Sequence, residues 1–209
     1  MITRFDHAFS LCPLVAILRG IQPSEIVGIG DVLGEAGFRI IEVPLNSPQP
    51  FASIARLAKH FAGTDVVVGA GTVLDLDGLT RVEEAGGTLI IAPNCNPAVI
   101  AGAAARGLVP VPGIATPTEA FAALEAGAAA LKLFPAEAAS PAVVKAMRAV
   151  LPPGTRILPV GGITADDMAG WRAAGAAGFG LGSALYVSGM SLDAVRKNAA
   201  TFISAWNGD

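Results

Sequence analysis

The short apolar segment around Lys132 offers the clearest chemistry in the sequence. The run Ala129-Ala130-Leu131-Lys132-Leu133-Phe134-Pro135 carries one lysine in its middle, and short apolar runs of this kind are typical of buried parallel strands. On a strand, Ala130, Lys132 and Phe134 share one face. Burial would lower the pKa of the lysine amine, and an uncharged amine can attack a ketone or an aldehyde. The alternative is that Lys132 reaches the strand end and pairs with a carboxylate.

Eight apolar runs recur roughly every 21–27 residues, the spacing of a strand, a helix and two loops. The predicted strands are Leu14–Leu18, Arg39–Val43, Val66–Ala70, Thr88–Ala92, Val109–Val111, Ala130–Phe134, Arg156–Val160 and Gly178–Leu181. Predicted helices include Ser24–Ala36, Pro117–Ala126, Pro141–Leu151, Ala165–Ala174 and Leu192–Trp206. Repeated strand–helix alternation predicts an α/β fold, namely a single (β/α)8 TIM barrel of eight parallel strands over residues 1–209.

The fold prediction has one alternative and one weak strand. An open doubly wound sheet would need a glycine-rich fingerprint after the first strand, and Arg19-Gly20-Ile21-Gln22-Pro23 is not one. The fifth strand is the weakest because Pro110 and Pro112 lack the N–H groups that a central strand donates.

Composition excludes several classes of protein. The chain is 53% hydrophobic and 15% charged, but its two long uncharged stretches, 85–105 and 173–192, are broken by Gly, Pro, Asn or Ser. Each is predicted to be a buried strand joined to an alanine-rich helix rather than a membrane span, and no secretory signal is visible. The net charge of −3 argues against binding of nucleic acid. Cys12 and Cys95 lie far apart without metal-ligand spacing, which favours a reducing cytoplasmic location.

Charged residues stand at the ends of three predicted strands. In a (β/α)8 barrel the chemistry lies at the carboxyl ends of the strands, where the sequence has Arg19, Glu42 and Lys132. Glu42 and Lys132 could form a structural ion pair, but desolvation offsets most of the gain from such a pair. A functional role is therefore preferred for both. The planar fork of Arg19 suits a substrate carboxylate, although this residue could also simply cover the rim.

The last two strands end in glycine. Loops after strands seven and eight of such barrels often hold a phosphate through backbone N–H groups, and here they carry Gly161-Gly162 and Gly182-Ser183. Ordinary loop glycines are the alternative, since the chain has 25 glycines. A lysine, a glutamate and a phosphate site without metal ligands indicate imine chemistry on a phosphorylated keto compound, in which the glutamate moves protons through a water molecule.

The strand ends, in this order, resemble those of the class I 2-keto-3-deoxy-6-phosphosugar aldolases over nearly the whole chain. The motifs that carry the resemblance are Ala16-Ile17-Leu18-Arg19-Gly20, Ile41-Glu42-Val43-Pro44-Leu45-Asn46-Ser47-Pro48, Gly69-Ala70-Gly71-Thr72-Val73-Leu74, Pro93-Asn94, Thr116-Pro117-Thr118-Glu119, Leu131-Lys132-Leu133-Phe134-Pro135, Gly161-Gly162-Ile163 and Gly180-Leu181-Gly182-Ser183. The resemblance implies reversible cleavage of a phosphorylated keto acid to pyruvate and D-glyceraldehyde 3-phosphate. It also implies that no metal or cofactor is needed and that the protein is a homotrimer.

The same resemblance implies roles for individual residues. Lys132 would form the Schiff base and Glu42 would shuttle protons. The remaining implied roles are pyruvate and carboxylate binding by Arg19 and Thr72, pocket lining by Pro93 and Phe134, and phosphate binding by Gly161, Gly162, Gly182 and Ser183.

Two positions favour the galactonate branch of this family over the gluconate branch. The gluconate enzymes have an arginine where this chain has Asn46 and a threonine where it has Val160. The substrates of the two branches differ in configuration at C4. The absence of a hydroxyl partner at position 160 should therefore change the preference between these substrates. The gluconate epimer is the alternative substrate. A phosphate-barrel isomerase or epimerase, or a barrel that binds phosphosugars without turnover, are the other hypotheses.

Overall fold

The computed structural model describes residues 3–208, in which parallel strands alternate with helices. The strands are β1 (Leu14–Ile17), β2 (Ile40–Pro44), β3 (Val67–Gly71), β4 (Leu89–Ile91), β5 (Val109–Val111), β6 (Gly113–Ile114), β7 (Leu131–Leu133), β8 (Ile157–Pro159) and β9 (Phe179–Leu181). The helices are α1 (Arg4–Leu11), α2 (Ile26–Ala36), α3 (Pro50–His60), α4 (Leu76–Glu84), α5 (Pro97–Ala105), α6 (Pro117–Glu125), α7 (Pro141–Arg148), α8 (Met168–Ala173) and α9 (Leu192–Asn207). A 3-10 turn spans Ala136–Ala138.

The strands form two parallel sheets rather than one continuous ladder. The larger sheet has the order β5-β4-β3-β2-β1-β9 and the smaller the order β6-β7-β8, and an isolated parallel bridge joins Val160 to Gly180. The prediction of an α/β fold with parallel strands is therefore confirmed. The fifth predicted strand, Val109–Val111, forms β5 with the predicted bounds. It ends before Pro112, a residue that cannot donate to a ladder, and the short strand β6, which was not predicted, follows.

Side chains of the strands alternate between two apolar clusters. Val15, Ile40 and Leu158 belong to the inner cluster, which the sheets enclose. Leu14 and Ile41 belong to the outer cluster, in which the sheets pack against the helices. Successive strand residues point to opposite faces. On each of these strands, the next residue on the inner face, two positions after the inner-cluster residue named above, therefore lies at the carboxyl end.

Helix α1 closes the opposite end of the inner cluster and was not predicted from the sequence. Its Phe5 and Phe9 are buried in that cluster. A capping box between Thr3 and Asp6 begins the helix, and Arg156 donates a hydrogen bond to Asp6 at 2.7 Å. This arrangement leaves the carboxyl ends of the strands as the open end of the fold.

Several helices are shorter than predicted because turns occupy their ends. Helix α2 begins at Ile26 instead of residue 24, and α7 ends at Arg148 instead of residue 151. Helix α8 begins at Met168, after a turn in which Asp167 accepts hydrogen bonds from Thr164.

The two long uncharged stretches contain strands, as predicted. The first comprises β4 and α5. The second contains β9 followed by turns up to α9, so the alanine-rich helix expected there is not formed. None of the helices within residues 3–208 combines the length and hydropathy needed to span a membrane.

Candidate active site

Lys132 lies in the middle of β7 with its side chain almost completely buried. It shares the inner face of the sheet with Ala130, as strand alternation predicts. Only 6% of its surface is exposed, and its Nζ lies 4.7 Å from the centroid of the Phe134 ring. Burial lowers the pKa of Lys132, the Glu42 carboxylate opposes this effect, and the Arg19 guanidinium adds to it. A larger fraction of the amine is therefore uncharged and nucleophilic near neutral pH.

Glu42 on β2 is the second buried ionisable group of this end of the fold. It is 1% exposed, and its Oε2 has no hydrogen-bond partner. Burial raises the pKa of Glu42 to about 7, against the opposing effects of the cations Lys132 and Arg19. A carboxyl with a pKa near the working pH can both donate and accept a proton.

Glu42 and Lys132 do not form the structural ion pair considered as the alternative, since no salt bridge joins them within the described chain. They face instead a shared narrow cavity of about 10 Å³, which Val160 and Gly180 also line. This space is close to the smallest that holds a single water molecule. A water molecule there could connect the two groups.

A larger cavity of about 380 Å³ opens above Lys132. Its lining comprises Ile17, Arg19, Lys132, Phe134, Glu137, Val160, Gly161, Gly162, Ile163, Thr164, Gly180, Gly182, Ser183 and Ala184. It brings together eight of the twelve predicted site residues, among them the lysine and both glycine-led loops. The cavity therefore has a buried amine and the backbone of two glycine loops within reach of one elongated ligand.

Both positions of the double-glycine turn after β8 require glycine, for two reasons. Gly161 and Gly162 have φ of +109° and +65°, a region that other L-residues rarely adopt. The side chain of Glu137 also lies directly over both residues, so that a Cβ at Gly162 would be 2.6 Å from Glu137 Cγ, and one at Gly161 would collide with the carboxylate. Gly182 on the neighbouring loop faces open space.

Four predicted residues lie outside the cavity of about 380 Å³, which is called the main cavity below. Glu42 lies below it. Asn46 and Thr72 line an adjacent open cleft of about 320 Å³, and Asn46 is connected to the cavity because its Oδ1 accepts a hydrogen bond from Arg19 at 2.9 Å. Pro93 lines neither space, and its carbonyl packs against Gly113.

Two residues of the site were not singled out from the sequence. Gly71 lies so close to the Glu42 carboxylate that a Cβ there would overlap it, and its only signal was its place in Gly69-Ala70-Gly71-Thr72 at the end of a strand. Glu137 lines the main cavity from the 3-10 turn after β7. No local pattern marked it, because its proximity to Gly161 depends on the packing of two loops.

No group of three or more His, Cys, Asp or Glu side chains is arranged to hold a metal ion in the part of the chain that the structure describes. The free thiols Cys12 and Cys95 lie outside both cavities that Lys132 lines.

A buried lysine and a buried glutamate at the carboxyl ends of parallel strands, below a glycine-lined cavity, are the site of an α/β enzyme. The model of the KDPG and KHG aldolase family matches residues 5–201, and the chain belongs to this family.

Three similar proteins support this assignment over most of the chain. A protein of Rhizobium meliloti (strain 1021) named "Probable 2-dehydro-3-deoxy-6-phosphogalactonate aldolase" is 47% identical over 93% of this chain and 92% of its own. The 2-dehydro-3-deoxy-6-phosphogalactonate aldolase of Escherichia coli (strain K12) is 45% identical over 93% and 94%. A solved structure described as native KDPGal superposes with a TM-score of 0.92 at 44% identity, covering 94% of this chain and 95% of that one.

Proposed function

We propose that this protein is a Schiff-base aldolase that reversibly cleaves 2-dehydro-3-deoxy-6-phospho-D-galactonate to pyruvate and D-glyceraldehyde 3-phosphate. The observation that carries the proposal is the buried Lys132, which lines one cavity together with both glycine loops. The similar proteins named for this substrate cover more than nine tenths of the chain.

The lysine supplies the covalent step. Nζ of Lys132 adds to the C2 carbonyl of the substrate, and loss of water from the carbinolamine gives an iminium ion. The C3–C4 bond then breaks while the C4 hydroxyl loses its proton, so that D-glyceraldehyde 3-phosphate leaves and the bonding electrons form an enamine. Protonation of the enamine at C3, followed by hydrolysis of the imine, releases pyruvate and the free amine.

Glu42 moves the protons in these steps. Its pKa of about 7 allows it to act as an acid when water leaves the carbinolamine and as a base when the C4 hydroxyl is deprotonated. The absence of a direct ion pair with Lys132 and the narrow space between the two groups favour transfer through a water molecule.

The other residues of the site hold the two ends of the substrate. Arg19 binds the carboxylate and is held by Asn46, and Thr72 contributes from the adjacent cleft. The phosphate lies against the backbone N–H groups of the two glycine loops, formed by Gly161, Gly162, Gly182 and Ser183. Phe134 packs beside the imine nitrogen, and the carbonyl of Pro93 packs against Gly113, the residue of β6 that pairs with Lys132.

The galactonate substrate is proposed over its C4 epimer because Val160 presents an apolar side chain to both cavities. A threonine there would offer a hydroxyl to the C4 group of the gluconate substrate. The similar proteins named for galactonate are consistent with this choice.

The proposal extends to the assembly of the fold. We infer that the two sheets close into one eight-stranded barrel, since Ala129 donates a hydrogen bond to Pro110 and Ala177 donates one to Ile157, each at 2.9 Å. These hydrogen bonds cross both gaps between the sheets. A homotrimer, which the family resemblance implies, and a cytoplasmic location, expected from the cysteine usage, belong to the same proposal. Native mass spectrometry tests the trimer.

Trapping with borohydride tests the imine. The protein is incubated with pyruvate and reduced, and peptide mass spectrometry should find a pyruvate-derived mass on Lys132. Lys132→Met should abolish both the adduct and the cleavage of the substrate, whereas the control Lys145→Met changes an exposed helix residue and should leave both intact.

The substrate is tested by following pyruvate release with both C4 epimers. We expect a higher kcat/KM for the galactonate epimer. An adduct on another residue would contradict the imine mechanism, and adduct formation without release of pyruvate from either epimer would contradict the aldolase reaction. A preference for the gluconate epimer would contradict the proposal that the galactonate epimer is the substrate.

A further inference from the structure

Glu137 is a charged residue of the main cavity to which the proposed mechanism gives no role. It follows Phe134 and Pro135 in the 3-10 turn after β7, and its side chain lies over Gly161 and Gly162. Among the described residues that line this cavity it is the only acidic one. No hydrogen bond or ion pair within residues 3–208 engages its carboxylate, which therefore remains available to a ligand.

The chemistry of a carboxylate limits what can bind beside it. An ionised carboxylate only accepts hydrogen bonds, and a phosphate held directly against it would be repelled. The group that Glu137 contacts must therefore be a hydrogen-bond donor. Between the imine carbon and the phosphate, the proposed substrate offers two donors, the hydroxyls at C4 and C5.

The position of Glu137 favours the C5 hydroxyl. Its side chain covers the Cα side of the double-glycine turn, where Cβ atoms would stand, whereas the C6 phosphate is proposed to bind the backbone N–H groups of this turn. Val160 precedes the turn on the side of Lys132. The carbon adjacent to the phosphate-bearing C6 is C5, and C4 lies one bond closer to the lysine.

We propose that the Glu137 carboxylate accepts a hydrogen bond from the C5 hydroxyl of the substrate and selects aldehydes that carry this hydroxyl. The inference rests on the proposed aldolase function and adds a substrate-binding residue to it. In the condensation direction, the same group is the C2 hydroxyl of D-glyceraldehyde 3-phosphate. A hydrogen bond to a charged group is among the stronger ones, so the hydroxyl should matter for kcat/KM.

A comparison of two aldehydes in wild type and variants tests this contact. Condensation with pyruvate is measured for D-glyceraldehyde 3-phosphate and for 3-oxopropyl phosphate, which has the same length but lacks the hydroxyl. Glu137→Met keeps the aliphatic packing on the glycines and removes the acceptor, whereas Glu137→Gln retains one acceptor oxygen. Glu125→Met is the control, because it changes an exposed glutamate on α6, away from the cavity.

We expect wild type to prefer the hydroxylated aldehyde by roughly tenfold or more in kcat/KM. In Glu137→Met this preference should fall to about threefold or less, with the loss confined to the hydroxylated aldehyde and with pyruvate trapping on Lys132 unchanged. Glu137→Gln should keep an intermediate preference, and Glu125→Met the full preference.

Three outcomes would overturn the inference while the aldolase function stands. Glu137→Met could retain the full preference, lower kcat/KM equally for both aldehydes, or raise it for both, as removal of a charge that merely repels phosphate would do. Failure of wild type to condense pyruvate with either aldehyde would instead refute the proposed function itself.

Discussion

The carboxylate of Glu42 lies directly over the Cα of Gly71, on the neighbouring strand β3. A Cβ at position 71 would overlap Oε2 of Glu42, so the buried position of this carboxylate depends on the absence of a side chain there. The backbone conformation does not require glycine at position 71, because this residue continues a regular strand and pairs with Pro44.

Gly71→Ala should therefore act as a mutation of Glu42, the proposed proton shuttle. The methyl group forces the carboxylate out of its site, and kcat for substrate cleavage should fall by about 10²-fold, the usual contribution of a general acid–base group. Steady-state kinetics measure the effect. The double variant Gly71→Ala/Glu42→Gln should be no slower than Glu42→Gln alone, because both changes remove the same function.

The matched control is Gly170→Ala in helix α8, where no atom lies near the added methyl group. It should preserve kcat. A folded Gly71→Ala protein with wild-type kcat, or full additivity with Glu42→Gln, would contradict the dependence of Glu42 on this glycine.

Burial of Glu42 also predicts how stability changes with pH. Its pKa is about 7 in the folded protein, above the ordinary value of 4.5, so the folded state retains a proton that the unfolded state has lost between these values. The free energy of unfolding should therefore fall as pH rises from 4.5 to 7. Glu42→Gln removes this contribution and should raise Tm at pH 8 relative to wild type, by an amount corresponding to at most roughly 3 kcal/mol.

At pH 4 the two proteins should unfold at nearly the same temperature, because Glu42 is then protonated in both the folded and the unfolded state. Thermal denaturation at both pH values measures the difference. An equal difference in Tm at pH 4 and pH 8 would show that the effect of Glu42→Gln comes from packing rather than from titration.

Local signals in the sequence were sufficient where the structure follows from the pattern of a single strand. Alternation in the run around Lys132 placed its amine on the inner face, and the same rule placed Glu42. The fifth strand was expected to be weak because of its prolines, and it is a short strand that ends directly before Pro112.

Features that arise from contacts between distant segments were missed. Helix α1 is stabilised by its burial against the inner cluster. Its capping residues Thr3 and Asp6 alone were not sufficient to predict a helix there. The glycines at 161 and 162 were interpreted as an approach for an anion, but the structure adds a second reason, the side chain of Glu137 above them. Contacts of this kind have no sequence spacing by which they could be recognised.

The hydrogen bond from Arg19 to Asn46 predicts a role for Asn46 in binding of pyruvate. Oδ1 of Asn46 holds the guanidinium at 2.9 Å, and without it the exposed arginine loses one fixed partner. Asn46→Ala should raise KM for pyruvate in the condensation reaction roughly fivefold, the effect of about 1 kcal/mol, with little change in kcat. The control Asn207→Ala lies at the end of α9, and unchanged KM in Asn46→Ala would contradict the role.

Val160→Thr should shift the preference between the C4 epimers. The side chain is buried at the boundary of the two cavities, and threonine has nearly the same shape with a hydroxyl in place of a methyl group. We expect the ratio of kcat/KM for the gluconate epimer to that for the galactonate epimer to rise by about tenfold, as for a gained hydrogen bond. Val160→Ala, which adds no hydroxyl, should lower both values without changing their ratio.

Gly182 gives the most direct test of the phosphate site. Apart from its chain neighbours, no described residue comes within 4 Å of the place a Cβ would take at this position. The backbone does not have a positive φ, so Gly182→Ala should fold without strain. The methyl group would instead project into the space assigned to the phosphate. We expect kcat/KM for condensation of pyruvate with D-glyceraldehyde 3-phosphate to fall by about tenfold, because close backbone approach to the anion is lost. Unphosphorylated D-glyceraldehyde, which does not use this site, should react at nearly the wild-type rate. Equal losses with both aldehydes would place the phosphate elsewhere in the cavity.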